Sequence, residues 1–144
     1  MNDQPPEPTP PQRWFRLAEE DLHAGRVLVA EGSAALRIAG FLAQQAAEKA
    51  LKAGLLASST HPPRIHGLRQ LQQLLPGEPD ATLDDDLDVL DPWVIVGRYA
   101  ADLPEPSLAE AEGLLDAAER VVESVRSIVD AHPERVDPGE PDQE

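Results

Sequence analysis

The 144-residue sequence has no cysteine, and only 3% of its residues are aromatic. The absence of cysteine excludes disulfides and thiolate metal sites. No apolar run approaches the about 20 residues that a membrane-spanning helix needs. The N-terminal stretch MNDQPPEPTPPQ is polar and proline-rich, unlike the basic and then apolar start of an export signal. We therefore expect a cytoplasmic protein without a membrane segment.

Positive charge is also scarce, because 12 Lys and Arg residues stand against 27 Asp and Glu, for a net charge of −15. This balance argues against nucleic-acid binding over the whole surface. The charge is uneven, however, since the segment between Ser33 and Gly77 holds five cations and one anion, Glu48. This basic zone is suited to receive a phosphate group, although a small domain must also place its few cations somewhere.

Strands have little support, because aromatic residues are rare and β-branched residues do not alternate with polar ones. The sequence instead predicts helices over residues 13–31 and about 34–58, short helices around 68–75 and 82–90, and a last one after Ser107. Ser107 and Glu110 form a capping box, and a seven-residue apolar repeat follows. We predict an all-α, up-and-down antiparallel bundle of four to five helices over residues 13–131, with disordered tails at 1–12 and 132–144.

The second predicted helix is apolar around most of its circumference, except for one polar ridge. The ridge consists of Gln45, Glu48, Lys49 and Lys52. Because apolar residues flank it on both sides, we interpret the ridge as the edge of an interface or cleft. His66 follows a Pro-Pro break and opens the third helix, so it either packs as a helix-start residue or joins the two lysines as a phosphate-facing cluster.

Several of these elements, taken in order, resemble a known family. The first helix carries Trp14, Ala18 and Asp21-Leu22, and the second reads FLAQQAAEKALKAGLL. The motif HGLRQL then begins at His66, and the dipeptide Arg98-Tyr99 follows the fourth helix. From Trp14 to Val129 this order and spacing resemble the HEPN family, which is named for its occurrence in higher eukaryotes and prokaryotes.

The resemblance implies a fold, partners and a choice of activities. HEPN domains are four- to five-helix bundles that usually form dimers. Many prokaryotic members act with a minimal nucleotidyltransferase encoded beside them, often as a toxin–antitoxin pair. Others are metal-independent ribonucleases in which an Arg is followed, after four to six residues, by a His. The resemblance therefore implies a homodimer, a transferase partner, and a nucleotide or RNA as ligand.

The ribonuclease motif is incomplete where the family would place it. Arg98 is in the position of the family's arginine, but Leu103, Pro104 and Glu105 stand where a His should follow. Two other Arg–His pairs have a similar spacing: Arg16 with His23, and Arg126 with His132. They lie on the first helix and at the end of the last one, away from the family's site. We therefore expect no efficient RNA cleavage, since general acid–base catalysis needs a group that titrates near neutral pH.

The polar ridge and the family resemblance together give the candidate site residues. Arg98 and Tyr99 are the candidates for chemistry, because in some pairs the transferase partner is thought to adenylylate a tyrosine beside this arginine. The candidates for ligand binding are Gln45, Lys49, Lys52 and His66. No cofactor and no metal are expected, since the acidic run DATLDDDLDVLD lacks the spaced, glycine-turned pattern of a calcium loop. The alternatives are a ribonuclease that uses Arg98 with a His from elsewhere, and a non-catalytic helical adaptor.

Overall fold

A computed structural model describes residues 9–32, 35–94 and 103–131, and these residues are helical or irregular, with no strand among them. The helices are α1 (Pro10–Ala30), α2 (Leu36–Ala57), α3 (Leu68–Gln73), α4 (Asp84–Leu90) and α5 (Leu108–Asp130). Short 3-10 turns, Ala81–Leu83 and Asp91–Trp93, precede and follow α4. The prediction of an all-α, up-and-down bundle of four to five helices is confirmed.

Helix α2 is the centre of the bundle. It packs against both α1 and α5, and α1 also contacts α5. Thirteen residues of α2 are buried, most of them alanine or glycine, so neighbouring helices approach its backbone closely. Residues 31–35 join α1 to α2, and Gly32 adopts a positive φ of 66° there, a conformation that glycine accepts without steric cost. A connection this short makes α1 and α2 antiparallel neighbours.

The first helix begins earlier than the sequence indicated. It starts at Pro10 rather than Arg13, and Pro11 is buried. Thr9 accepts a hydrogen bond from the backbone N–H of Gln12, whose side chain accepts one from the N–H of Thr9 in return. Proline fits the first turn of a helix because its missing N–H would have no partner there. Prolines that suggested disorder up to residue 12 therefore include two, Pro10 and Pro11, that form the start of a helix. The rest of the predicted disordered tails, residues 1–8 and 132–144, lies outside the described residues.

The other helix boundaries agree more closely with the sequence. The Ser107–Glu110 capping box is present, with hydrogen bonds of 2.8 and 3.0 Å in the two directions. Before α4, Asp80 caps the 3-10 turn Ala81–Leu83, since its carboxylate accepts a hydrogen bond from the backbone N–H of Thr82. The predicted helix around residues 82–90 thus consists of this 3-10 turn followed by α4.

Candidate functional site

A buried carboxylate lies at the centre of the polar ridge on α2. Glu48 is only 6% exposed, and its Oε2 accepts hydrogen bonds from two sides. Lys52, one turn further along α2, places its Nζ 2.9 Å away. The Nδ1 of His66, from the connection before α3, lies 2.9 Å away as well. The structure thus brings together Lys52 and His66, two of the predicted site residues, around Glu48, which the sequence analysis placed on the ridge but not among the candidate site residues.

Two glutamines complete the surroundings of this carboxylate. The Gln44 amide donates to Glu48 Oε1 at 3.1 Å, and the Gln45 amide donates to Gln44 Oε1 at 2.8 Å. Burial by itself would raise the pKa of Glu48, but the hydrogen bonds from Lys52, Gln44 and His66 outweigh it and lower that pKa. Glu48 is therefore ionised near neutral pH and forms an ion pair with Lys52.

The other ridge lysine has a different partner. Lys49 extends to α1, where its Nζ lies 2.6 Å from the Oδ2 of Asp21. Both side chains are mostly covered, at 25% and 19% exposed. Lys49 and Lys52 thus each form an ion pair with a carboxylate of this chain. The structure does not group the two lysines as one cluster, which the phosphate-facing interpretation had considered.

His66 is the ridge partner most open to solvent. Its side chain is 45% exposed, and its Nε2 makes no hydrogen bond to any residue that the structure describes. A carboxylate that accepts from Nδ1 fixes the tautomer and the ring orientation, as in hydrolase triads. In this arrangement Nε2 is a proton acceptor when the ring is neutral and a donor to an anion when the ring is charged.

Two further basic side chains lie on the same connection between α2 and α3. Arg64 and His61 are exposed, and neither has an ion pair within the described ranges. The connection is fixed at its far end, where the backbone N–H of Leu68 donates to Asp91 Oδ1 at 3.1 Å. Glu48 holds the same connection against α2 through His66. We call His61, Arg64 and His66 the basic loop.

The two residues predicted to carry chemistry, Arg98 and Tyr99, lie outside the described residues. The chain is described again at Leu103, whose carbonyl oxygen accepts from Arg37 Nε at 2.9 Å. Of the other Arg–His pairs, Arg126 already binds Glu19 and Glu123 on the bundle surface, so its charge is matched. Arg16 and His23 are both exposed on α1.

One sequence feature pointed to Glu48 as an ion-pair partner, and one feature drew attention to Asp21. Glu48 is the single anion of the basic zone and lies four residues before Lys52, a spacing that favours an ion pair on a helix. Asp21 belongs to the Asp-Leu pair of the first helix, but its contact with Lys49 spans 28 residues. Gln44 gave no signal, because an amide on a buried face is recognised only from its neighbours.

The described residues contain no group of three or more His, Asp or Glu side chains arranged to hold a metal ion. Within the same ranges, none of the helices has the length and the apolar composition to cross a bilayer. The site consists of a buried carboxylate, a buried ammonium group and an oriented imidazole, with the exposed Arg64 on the same connection as the imidazole.

Comparison with solved structures defines the class of protein. The crystal structure of ST0689, an archaeal HEPN homologue, matches with a TM-score of 0.67 and 26% identity, over 84% of this chain and 98% of that one. The crystal structure of TT1696 from Thermus thermophilus matches with a TM-score of 0.70 and 29% identity, over 82% of this chain and 97% of that one. The chain thus shares its helical bundle with an archaeal and a bacterial protein.

The family follows from the sequence itself. The model of the HEPN domain matches residues 11–128, which is most of the chain. The protein belongs to the HEPN domain family, as the resemblance from Trp14 to Val129 predicted. No curated protein sequence matches the chain.

Proposed function

We propose that this HEPN domain protein is the HEPN component of a two-component, toxin–antitoxin-like system and binds a minimal nucleotidyltransferase. The observation that carries the proposal is the half-exposed His66, which Glu48 orients on the same connection as the exposed Arg64. In a chain of net charge −15, an oriented imidazole and a guanidinium form a local site for a phosphate. A nucleotide held by the transferase, or an RNA, supplies such a phosphate.

The outer face of α2 supports a protein interface beside the basic loop. Ile38 is 45% exposed, and Leu42, Gln45 and Leu56 on the same face are half-buried. A stripe of mixed apolar and amide side chains next to charged ones is typical of interfaces. We propose that two copies pack in a two-fold dimer along this stripe, with the basic loop at the margin of the groove.

Light scattering tests the dimer directly. The chain has a mass of 15.6 kDa, so we expect about twice that mass at micromolar concentration. Ile38→Glu should shift the equilibrium towards the monomer, because it places a charge in the apolar stripe. Val89→Glu, at an exposed apolar residue on α4, is the matched control and should leave the mass unchanged. A single-chain mass for the unaltered protein would contradict the dimer.

Partner binding is tested with the minimal nucleotidyltransferase that this proposal expects to be encoded beside this chain. We expect Arg64→Ala to weaken binding in calorimetry at least about fivefold, because it removes a charge from the basic loop. Arg13→Ala is the control, since Arg13 is also exposed and without an ion pair among the described residues. If the two substitutions weaken binding equally, only the net charge of the chain affects the affinity. The basic loop would then not be part of the interface.

Modification of Tyr99 is tested in the same mixture. With magnesium and ATP, we expect the transferase to add the mass of an adenylate to this chain. Tyr99 is the only tyrosine, so Tyr99→Phe should abolish the added mass while retaining the aromatic ring. An adenylate found on the Tyr99→Phe chain would place the modification elsewhere.

A metal-independent endoribonuclease is the second candidate. The observation that favours it is that Nε2 of His66 makes no hydrogen bond to any described residue. Cleavage through the 2′-hydroxyl needs a base near neutral pH and a cation beside the phosphate, roles for His66 and Arg98. The purified protein would then cut single-stranded RNA in the presence of a chelator. Both His66→Ala and Arg98→Ala would abolish that cleavage. We expect no efficient cleavage, and cleavage dependent on both residues would reverse this order of candidates.

A further inference from the structure

A cavity of about 440 Å³ opens on the side of the bundle formed by α4, its following 3-10 turn and the start of α5. Its walls are mainly apolar. They are formed by Val89, Trp93, Pro104, Glu105, Pro106, Glu110, Gly113 and Leu114. This volume is within the about 300–1,000 Å³ that is usual for small-molecule sites. None of the residues of the Glu48 cluster or the basic loop lines the cavity.

The aromatic wall is held rigidly. A methyl group built on Gly40 of α2 would lie only 2.7 Å from Cε3 of Trp93, so the indole ring packs directly on the α2 backbone. Pro106, on another wall, is buried. Trp93 and Pro106 therefore form two packed walls of the cavity, and these walls need little ordering when a ligand binds.

Gly113 is a lining residue of the cavity that no close packing requires to be glycine. Gly25 and Gly40 sit where a Cβ would meet a neighbour at less than 3 Å, but a Cβ on Gly113 would meet nothing within 4 Å. Glycine inside a helix costs about 1 kcal/mol relative to alanine, and Gly113 lies within α5. A larger side chain at this lining position would have room to extend into the cavity.

The ionisable side chains that line the cavity are both acidic. Glu105 and Glu110 are its ionisable lining residues. Glu110 uses Oε1 to accept from the backbone of Ser107, which leaves its second carboxylate oxygen available. Glu105 has only a long contact of 3.7 Å with Arg37. Carboxylates beside an apolar and aromatic wall favour a cation with an apolar body, because the acids attract the charge and the wall accepts the apolar group.

We propose that this cavity binds a free small organic monocation, a primary or quaternary amine carrying an aromatic or aliphatic group. The apolar group lies against Trp93 and Leu114, and the ammonium group faces Glu105 and Glu110. The site is separate from the basic loop, which is suited to anions. It does not depend on the proposed transferase partnership, so each proposal stands or fails by its own experiment.

Tryptophan fluorescence provides the test. The chain has two tryptophans, so Trp14→Phe leaves Trp93 as the only indole. We expect 2-phenylethylamine to change its fluorescence saturably, with a Kd of about 1 mM or tighter, as a ligand of this size in a preformed pocket allows. The neutral 2-phenylethanol should bind at least about tenfold more weakly, because it lacks the charge. No saturation, or equal binding of the two probes, would overturn the proposal.

Two variants separate the cavity from unspecific binding. Gly113→Leu should abolish the response by filling the cavity, and the open space around this position leaves the core unchanged. The double variant Glu105→Gln with Glu110→Gln should remove the preference for the amine while keeping the capping box, which accepts Gln at this position. If Gly113→Leu fails to fold, the double variant decides alone. Arg64→Ala should bind the amine unchanged, and a loss there, or unchanged binding by the double variant, would contradict the assignment.

Discussion

Helices α2 and α5 are similar in length but differ in how they meet their surroundings. Helix α2 is buried on most sides, including the charged side chains of Glu48 and Lys52. Helix α5 buries one face of Leu, Val and Ala and exposes the other. Its outer face carries surface ion pairs such as Arg126 with Glu123, whose side chains are 41% and 58% exposed.

The difference shows where charge affects the stability of this bundle. An exposed ion pair is screened by water and contributes about 0–1 kcal/mol. A buried charge that loses its partner is far more costly, because water cannot replace the lost interaction. Substitutions of similar chemistry on the two helices should therefore have very different effects, and the predictions below test this in order of decreasing size.

The largest effect is expected from Glu48→Gln on α2. It leaves the ammonium group of Lys52, which is only 11% exposed, without a counter-charge. We expect a loss of about 3 kcal/mol in the free energy of unfolding, the lower end of the range for broken buried pairs. The lower end applies because the neighbouring His66 is 45% exposed, so that water can reach the cluster and partly solvate the ammonium group. Urea denaturation measures it. Adding Lys52→Met should restore part of the loss, and a double variant no better than Glu48→Gln would refute the ion-pair explanation.

The same pair predicts a dependence on pH. The pKa of Glu48 is lowered from its ordinary value of 4.5. The stability that its ionised form contributes is therefore fully present above pH 4.5 and is lost as the pH falls through the lowered pKa. The difference in stability between the unaltered protein and Glu48→Gln should shrink as the pH falls below 4.5. A difference that stays constant down to about pH 3 would show that the carboxylate charge is not the cause.

The next effect is expected from Gly40→Ala, also on α2. The new Cβ would lie 2.7 Å from Cε3 and 2.9 Å from Cδ2 of Trp93, so the indole ring must move. Overpacking of this kind costs about 1–3 kcal/mol, which outweighs the helix propensity gained by alanine. Thermal unfolding should show a lower Tm, and the fluorescence of Trp93 should shift. An unchanged Tm would mean that the ring is not packed on α2.

The matched substitution on α5, Gly113→Ala, should act in the opposite direction. Nothing lies within 4 Å of the new Cβ, so only the helix propensity changes. We expect the free energy of unfolding to rise by about 0.5–1 kcal/mol, measured in the same denaturation series as Gly40→Ala. If both glycine substitutions change stability in the same direction, the contrast in packing between the two helices is not as described.

The smallest effect is expected from Glu123→Gln on the outer face of α5. Arg126 keeps its contact with Glu19 at 3.0 Å, and both groups remain hydrated. We expect a loss of less than about 0.5 kcal/mol, which should decrease further in salt. Urea denaturation at low and high salt measures it beside Glu48→Gln. A loss as large as that of Glu48→Gln would remove the distinction between the two helices.

The fold was largely predictable because its signals are local. The Ser107–Glu110 capping box and the apolar repeat of α5 depend on residues within a few turns, and both are present. The start of α1 was misplaced since proline was interpreted as a sign of disorder, although the same kind of box, formed by Thr9 and Gln12, stands before it. The capping-box pattern that predicted the start of α5 also predicts the start of α1 at Pro10.

The candidate site was predictable only in part. The ridge on α2 was recognised as lying at the edge of a covered surface, and the structure brings Lys52 and His66 together there. Its centre, Glu48, was placed on the ridge but not among the candidate site residues, and the pairing of Lys49 with Asp21 was missed. Helical periodicity tells which side chains share a face, but it does not tell which element covers that face.

By itself, the sequence determined that this protein is an all-helical bundle, with α2 as its most apolar helix and a polar ridge along that helix. These properties follow from periodicity and capping, which act over a few residues. Only the tertiary structure decided the partners of the ridge, because Glu48 meets His66 across 18 residues and Lys49 meets Asp21 across 28. Whether a charged side chain faces water, a ligand or another side chain depends on the packing of distant elements, which no local pattern contains.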